Sequence, residues 1–252
     1  MDERARSLYP DLIEHGGLAG ALRAAFTRID SSMRVIELDG CISPVVCATV
    51  RWADREAQAF IAAKERLFMV EFWSRGVMLA SGGTPDLESV AIAIDRWVGS
   101  NRTAGDMTSA FDFVEARKDA WSYEQGMEVE ERWRAYLKAV PRSIPGLGEV
   151  IASASERPAL RQLFPFTSLD RLCFSRCTGY PFTRDTPSVA PSGDKRYRVE
   201  GSAGEDLGGG NVEEALDIVI EHLPPGCGPA VAGTADDIGR ALRSGGSDAE
   251  EL

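Results

Sequence analysis

One group of side chains could hold a planar polar ligand. Arg75 follows an apolar segment that ends at Trp73, so its guanidinium is expected beside that ring. This pairing suits a carboxylate or an amide held by forked hydrogen bonds and stacking. Glu124 lies where a helical pattern breaks, so that its carboxylate can face a cavity. Together with Trp121 these residues predict a ligand site in which Glu124 is catalytic; the alternative is surface charges near a core tryptophan.

A second group lies in the C-terminal half. His222 ends an amphipathic helix, where the partial negative charge of the terminus favours a protonated ring, and it is the second catalytic candidate. Arg196 and Arg198 are predicted to bind substrate, because arginines bind carboxylates through a planar fork. Arg171 and Arg176 could extend this patch. The alternative interpretation is a solvated face on an acidic protein, with His222 as an ordinary helix-end residue.

The sequence predicts neither a metal nor a cofactor. His15 and His222 belong to no HExxH or HxH pattern. Strand geometry would hold Cys173 and Cys177 roughly 13 Å apart, too far to bind one ion directly. The chain has no GxSxG, Walker or GxGxxG signature. Five cysteines, an odd number, behind a start without an apolar leader indicate reduced thiols.

The charge and the hydropathy of the chain limit the classes of partner that it is expected to bind. The formal net charge is −11 over 252 residues, which disfavours nucleic acid and anionic membrane surfaces. No segment approaches the ~20 consecutive apolar residues of a membrane span. These properties predict a cytoplasmic protein whose partner is a small-molecule or peptide intermediate, with no nucleic acid and no membrane partner.

The elements that would position these residues recur in the two halves of the chain. Residues 66–98 read as strand, turn, strand, glycine pair and amphipathic helix, and residues 195–223 follow the same order. Asp86 aligns with Asn211, and each precedes a helix with matching apolar positions. Thr84 or Asp86 is predicted to cap the first helix, and Asn211 is predicted to cap the second with Glu214 as its capping partner. The pattern predicts an α+β fold of two pseudo-repeated helix–antiparallel strands–helix units with inserted helices between them. A single α+β domain with coincidental similarity is the alternative.

Breaks in the pattern predict where the parts begin and end. The expected divisions are a first α+β unit at 1–105, a helical connector at 106–145, a second α+β unit at 146–243 and a disordered tail at 244–252. The expected helical segments are 18–29, 86–98, 109–140 and 148–163. The expected strands are 34–38, 45–52, 67–73, 77–80, 171–176 and 195–200. Gly82–Gly83 and Gly208–Gly210 are interpreted as strand-to-helix turns.

Five short blocks recur as a set in one family. They are LYPD at Leu8–Asp11, WSRGVMLASGGTPDLESVA from Trp73, EQGMEVEERW ending at Trp133, RPALRQLFPFTS from Arg157 and LPPGCGPAVAG from Leu223. Together they resemble an uncharacterised actinomycete family of natural product biosynthesis proteins, over nearly the whole chain. The resemblance implies an association with secondary-metabolite gene clusters. It carries over no catalytic residue.

Two functions are therefore predicted. The first is an accessory or tailoring protein that acts on a natural-product intermediate, such as a peptide, by metal-free acid–base chemistry if it is catalytic. The second is a non-catalytic binding module of the same pathway: a substrate chaperone, scaffold or immunity-type protein. A concave pocket with converging polar groups favours the enzyme, and a flat apolar patch favours the binder. The apolar strand Leu67–Trp73 and the helix that carries Trp133 also predict a homodimer.

Overall fold

The chain forms two compact units. The computed structural model describes residues 3–36, 43–139 and 144–245. Unit 1 is Met1–Glu124 and unit 2 is Gln125–Leu252. Each combines helices with an antiparallel sheet, which confirms the α+β class. Residues of the predicted connector, 106–145, are distributed over both units.

Unit 1 is built on a six-stranded meander, counted over the described residues. Its helices are α1 (Glu3–Leu8), α2 (Pro10–Glu14), α3 (Leu18–Arg28), α4 (Leu87–Val98), α5 (Ala104–Ala110) and α6 (Ala120–Glu124). Its strands are β1 (Val35–Ile36), β2 (Cys47–Trp52), β3 (Arg55–Ile61), β4 (Phe68–Ser74), β5 (Val77–Thr84) and β6 (Val114–Ala116). Strands that are neighbours in this sheet are consecutive in the chain and pair antiparallel, and helices α4 and α5 lie between β5 and β6 in sequence.

Helix α4 covers one face of this sheet. Its side chains at helical spacing are apolar and buried, including Val90 and Ile94, and the Asp86 carboxylate caps its first turn by accepting from two backbone amides. The Trp97 indole donates to the main-chain oxygens of Glu56 and Trp73 at 3.2 and 3.0 Å. The last turn of α4 is therefore fastened to β3 and β4.

The LYPD block holds the N-terminal helices against the strands. The Tyr9 hydroxyl is within 3.0 Å of the main-chain oxygens of Ala62, Glu65 and Leu67. Asp11 forms a two-point ion pair with Arg66, at 2.7 and 2.9 Å. Because each partner is more than fifty residues away in sequence, this block has a structural role.

Strand β5 is longer than predicted, and its first glycine, Gly82, lies inside the strand. The predicted strand 77–80 continues through Gly82–Gly83 to Thr84, so the interpretation of these glycines as a strand-to-helix turn was wrong. A Cβ on Gly82 would lie 2.2 Å from the main-chain oxygen of Phe113. The glycine is required because β6 approaches the β5 backbone closely.

Unit 2 is built on a five-stranded meander, again over the described residues. Its helices are α7 (Glu128–Lys138), α8 (Leu147–Glu156), α9 (Pro158–Arg161), α10 (Val212–Glu221) and α11 (Ala235–Gly245). Its strands are β7 (Phe164–Ser168), β8 (Arg171–Ser175), β9 (Ser188–Gly193), β10 (Arg196–Glu200) and β11 (Asp206–Gly210). The sheet order is β11-β10-β9-β8-β7, and all pairs are antiparallel.

Helices α7, α8 and α10 enclose the core of unit 2. Trp133 is fully buried there, and its indole donates to the main-chain oxygen of Leu163 at 3.1 Å. Asn211 and Glu214 form the predicted capping box at the start of α10. Gly208–Gly210 belong to β11, so their interpretation as a turn was wrong; a Cβ on Gly209 would lie 2.0 Å from the oxygen of Tyr197.

The two units share an order of elements. In each, an antiparallel meander leads into a helix that an Asp or Asn side chain caps, α4 after β5 and α10 after β11. A common origin by duplication stays a prediction. Of the predicted disordered tail, α11 includes residues 244–245, and residues 246–252 lie outside the described residues. Across the described ranges, no helix has the length and apolar character needed to cross a lipid bilayer.

The cysteines of the described residues differ in oxidation state. Cys47 on β2 is disulfide-bonded, which corrects the expectation that the thiols are reduced. Cys173, Cys177 and Cys227 are free. Burial raises the pKa of the Cys173 thiol to about 11 and also raises the pKa values of Cys177 and Cys227. The free thiols are therefore neutral at physiological pH and poor nucleophiles.

Candidate functional site

The structure gives the predicted residues of unit 1 separate partners. The Trp73 indole donates to the Glu71 carboxylate at 3.1 Å. Arg75 sits in the β4–β5 turn, where its guanidinium binds Asp54 at 3.0 Å and both side chains are largely exposed. An exposed ion pair of this kind holds the turn and contributes little free energy.

The other two residues of that predicted site lie at helix termini. Trp121, on α6, is 64% exposed. The Glu124 carboxylate accepts from the backbone amide of Ala104 at 2.6 Å and so helps to cap α5. Neither of the two cavities described below is lined by Trp73, Arg75, Trp121 or Glu124.

The predicted residues of unit 2 face solvent. His222 is the C-terminal cap of α10, and its Nδ1 lies 2.9 Å from the oxygen of Ile218. Arg196 and Arg198 lie on the exposed face of β10, as their alternation with Tyr197 and Val199 predicts. Glu200, on the same face, binds Arg171 at 2.5 Å and lies 3.9 Å from Arg198. Arg171 and Arg198 therefore share the Glu200 carboxylate of the protein itself.

A different set of residues in unit 2 lines an open cavity of about 460 Å³. This volume is in the range of sites for small organic ligands. Its wall is formed by the glycine-rich segment that precedes α11, by the first turn of α11 and by one residue that follows β8. The lining residues are Arg176, Gly226, Gly228, Pro229, Val231, Asp237 and Ile238.

Two loops are hydrogen-bonded together to form this wall. The amide of Val231 donates to the oxygen of Arg176 at 2.9 Å, and the amide of Thr178 donates back to Val231 at 3.0 Å. The amide of Ala235 donates to the oxygen of Pro181 at 2.8 Å. The loop after β8 is thus paired with the chain just before α11, and Arg176 is held at the edge of the cavity.

A buried hydroxyl cluster fixes the loop after β8. The Ser175 hydroxyl donates to the oxygen of Cys177 at 2.7 Å and accepts from the amides of Cys177 and Thr183 at 3.0 and 3.2 Å. The Thr183 hydroxyl accepts from the amide of Arg176 at 2.9 Å. Because these hydroxyls satisfy main-chain groups, they position Arg176 and are not free to act as nucleophiles.

The ionised groups at the cavity are paired within the protein. The Nη2 of Arg176 forms an ion pair with the Oδ2 of Asp185. Burial opposes ionisation of Asp237, but hydrogen bonds from Thr234 and the guanidinium of Arg240 outweigh it, so the pKa of Asp237 is lowered. At neutral pH the cavity therefore presents one guanidinium and one carboxylate, each with a partner of opposite charge.

Unit 1 has a smaller cavity of about 190 Å³. Its charged side chains already bind one another or a helix terminus: Asp11 with Arg66, Arg28 with Glu88 at 3.6 Å, and Asp86 with α4. In the ranges that the structure describes, no group of three or more His, Cys, Asp or Glu side chains is placed to hold a metal ion. The cavity of unit 2 is the larger of the two and has the more apolar wall, which makes it the stronger candidate site.

Sequence reasoning missed this site because long-range pairing forms it. Arg176 appeared only as an extension of a carboxylate-binding patch, and Asp237 was not singled out. The signal that could have found them is the pair of turn-rich segments, 177–187 and 224–235, each too long for a tight turn. Nothing local indicates that these two segments bind each other.

Part of the chain is similar in sequence to one protein family. Residues 128–234 match the model of a family described as "Family of unknown function (DUF6193)". This span includes the sheet of unit 2, Arg176 and the glycine-rich wall, and it ends before Asp237. No curated protein and no solved structure matches the chain. The family description names no reaction, organism or pathway.

Proposed function

We propose that the chain is a non-catalytic binding module of natural-product biosynthesis in the cytoplasm, and that it holds a small-molecule or peptide intermediate. The observation that carries the proposal is the cavity beside Arg176, whose wall is formed by backbone, proline and aliphatic side chains. The block from Leu223, which contributes to the resemblance, supplies much of that wall. The resemblance supports the pathway, and the cavity supports the binding role.

The alternative is a tailoring enzyme, and the concave shape of the cavity is the feature expected of one. The chemistry of its lining favours binding. A general acid or base needs a pKa near the working pH, whereas Arg176 is permanently charged and the pKa of Asp237 is lowered. The pKa of the adjacent Cys227 thiol is raised. Glu124 caps a helix, and His222 is an exposed helix-end residue.

Gene deletion with complementation tests the role in the pathway. The strain that carries the gene is deleted for it and complemented with the wild type or with Val231→Trp, whose larger side chain occupies the cavity. We expect the deletion to lower the levels of all related products together. Complementation with Val231→Trp should restore production no more than an empty vector does. Metabolite profiling by liquid chromatography and mass spectrometry makes the measurement.

Leu137→Trp is the matched control, because Leu137 is also an exposed aliphatic residue and does not line the cavity. It should restore production fully. Accumulation of one unmodified precursor in the deletion strain would instead identify a tailoring enzyme. Full restoration of production by Val231→Trp would show that the cavity does not take part in the function.

A further inference from the structure

The accessible wall of the unit 2 cavity is mainly aliphatic. Its surface comes from the side chains of Pro229, Val231 and Ile238 and from the backbone of Gly226 and Gly228, and apolar atoms make up most of it. Val231 is 52% exposed, so a ligand in the cavity can contact its side chain directly. Because apolar surface is stabilised when it leaves water, this wall favours a ligand that has an apolar part.

The two charged residues that line the cavity already have partners within the protein. Arg176 forms an ion pair with Asp185. The Asp237 carboxylate accepts from the amide and the hydroxyl of Thr234 and forms an ion pair with Arg240. A charged group that entered the cavity would give up part of its hydration shell without meeting an unpaired counter-ion. The paired charges therefore favour an uncharged group against the wall.

The lining also distinguishes an aliphatic ligand from an aromatic one. None of the seven described residues that line the cavity carries an aromatic ring, so a flat ring would find no stacking partner there. Pro229, Val231 and Ile238 present saturated carbon, against which a flexible chain can adjust its contacts. The wall is therefore better suited to a saturated chain than to a ring.

We infer that the cavity of unit 2 binds the intermediate through an aliphatic chain and leaves the polar end of the ligand in water. The inference rests on the proposed binding function and adds the class of ligand. Val231 and Ile238 contact the chain. Arg176 and Asp237 hold the structure of the wall and do not select the ligand.

A series of straight-chain alcohols tests the inference on the full chain. Butanol, pentanol, hexanol and heptanol differ by one methylene group at each step and carry no charge. Amide chemical-shift changes in ¹⁵N-labelled protein report binding, with Gly226 and Gly228 as the expected responders. We expect the dissociation constant to fall about two- to fourfold for each added methylene group, because each one buries further apolar surface.

Three further probes test the head group and the ring. Hexanoate and hexylammonium keep the chain of hexanol and add a charge, and 3-phenylpropanol is an alcohol of similar hydrophobicity with an aromatic ring. We expect hexanol to bind at least as tightly as either ion and more tightly than 3-phenylpropanol. Tighter binding of an ion would show that Arg176 or Asp237 selects the ligand. That result, or tighter binding of 3-phenylpropanol, would overturn the aliphatic chain while leaving a binding module.

Val231→Thr tests the wall itself. Threonine has nearly the shape of valine but replaces a methyl group by a hydroxyl, so this variant should bind hexanol about threefold more weakly or worse. Val212→Thr is the matched control, because Val212 is half-buried in the same unit and does not line the cavity. It should bind hexanol as the wild type does. Thermal unfolding establishes that both variants are folded, and undiminished binding by Val231→Thr would overturn the inference.

The outcomes separate this inference from the proposed function. An affinity that does not rise with chain length, or absence of binding by every probe, would overturn the aliphatic chain. If Val231→Trp still failed to restore production, the cavity would be retained as the site of function. Full restoration by Val231→Trp would overturn the proposed function and, with it, the inference.

Discussion

At the scale of single residues, the Tyr9 hydroxyl joins the N-terminal helices to the β3–β4 connection. We expect Tyr9→Phe to lower the free energy of unfolding by about 1–3 kcal/mol, because it leaves main-chain groups of residues 62–67 without a partner. Urea denaturation measures the change. Tyr180→Phe, at a ring that is 65% exposed, should be neutral. Equal stability of both variants with the wild type would show that water replaces the Tyr9 hydroxyl.

Tyr197 predicts a loss of stability at high pH. Burial and the hydrogen bond to Glu149 raise the pKa of Tyr197 to about 12, above the ordinary value of about 10 in the unfolded chain. A raised folded pKa contributes stability that is complete below pH ~10 and is lost as the pH rises from ~10 to about 12. The free energy of unfolding of the wild type should therefore fall over this range more steeply than that of Tyr197→Phe.

Denaturant titrations at pH 8, 10 and 11 measure these slopes. Tyr180→Phe serves again as the control, because the Tyr180 side chain is 65% exposed. It should keep the slope of the wild type. Parallel slopes for the wild type and Tyr197→Phe would show that Tyr197 ionises in the folded chain as easily as in the unfolded chain.

The sequence was informative about residues whose partners are local. The caps Asp86 and Asn211 were predicted, because a cap and the amides it binds lie within three residues. Arg75 and Glu124 were assigned to a ligand, whereas their partners are Asp54 and the amide of Ala104. A partner about twenty residues away leaves no periodic signal, so these roles needed the structure.

At the scale of elements, the Asn211 cap is expected to stabilise α10 directly. Asn211→Ala should cost about 1 kcal/mol, because two amides at the start of α10 lose their acceptor. Hydrogen–deuterium exchange should quicken in α10 and in the strand β11 on which it packs. Asp86→Ala, the equivalent change before α4, should affect α4 in unit 1 instead. A protection pattern in α10 that does not change would show that tertiary packing alone determines its stability.

Strands with weak patterns were the elements that sequence reasoning missed. It did not identify β3, β6, β7 or β9, it gave no bounds for the strand that is β11, and it placed the short strand β6 within a helical segment. Glycines in β11 and prolines in β7 and β9 lower the intrinsic preference for strand. Pairing with a neighbouring strand overrides that preference, and pairing is a tertiary property. The long amphipathic helices α3, α4 and α10 were predicted correctly, because the helical spacing of their apolar residues is enough to identify them.

At the scale of the whole molecule, the order of strand and helix patterns in the sequence predicted the α+β class, but it did not predict the candidate site. The cavity of unit 2 depends on the pairing of two irregular segments, 176–183 and 230–235, that carry no repeat. The helix with Trp133 was expected to offer apolar surface to a second copy, yet Trp133 is enclosed in the core of unit 2. The prediction of a homodimer therefore rests on unit 1 alone.

The face of the unit 1 sheet opposite its core is the surface that a second copy would use. Phe60 pairs with Met69 and Trp73 pairs with Met78 on this face, and Met69 is 38% exposed. We expect a homodimer at micromolar concentration, and Met69→Lys should convert it to a monomer in sedimentation. Because each copy carries a net charge of −11, added salt should strengthen the dimer by screening repulsion. Leu137→Lys, on α7, should leave the dimer intact, and a monomeric wild type would contradict the prediction.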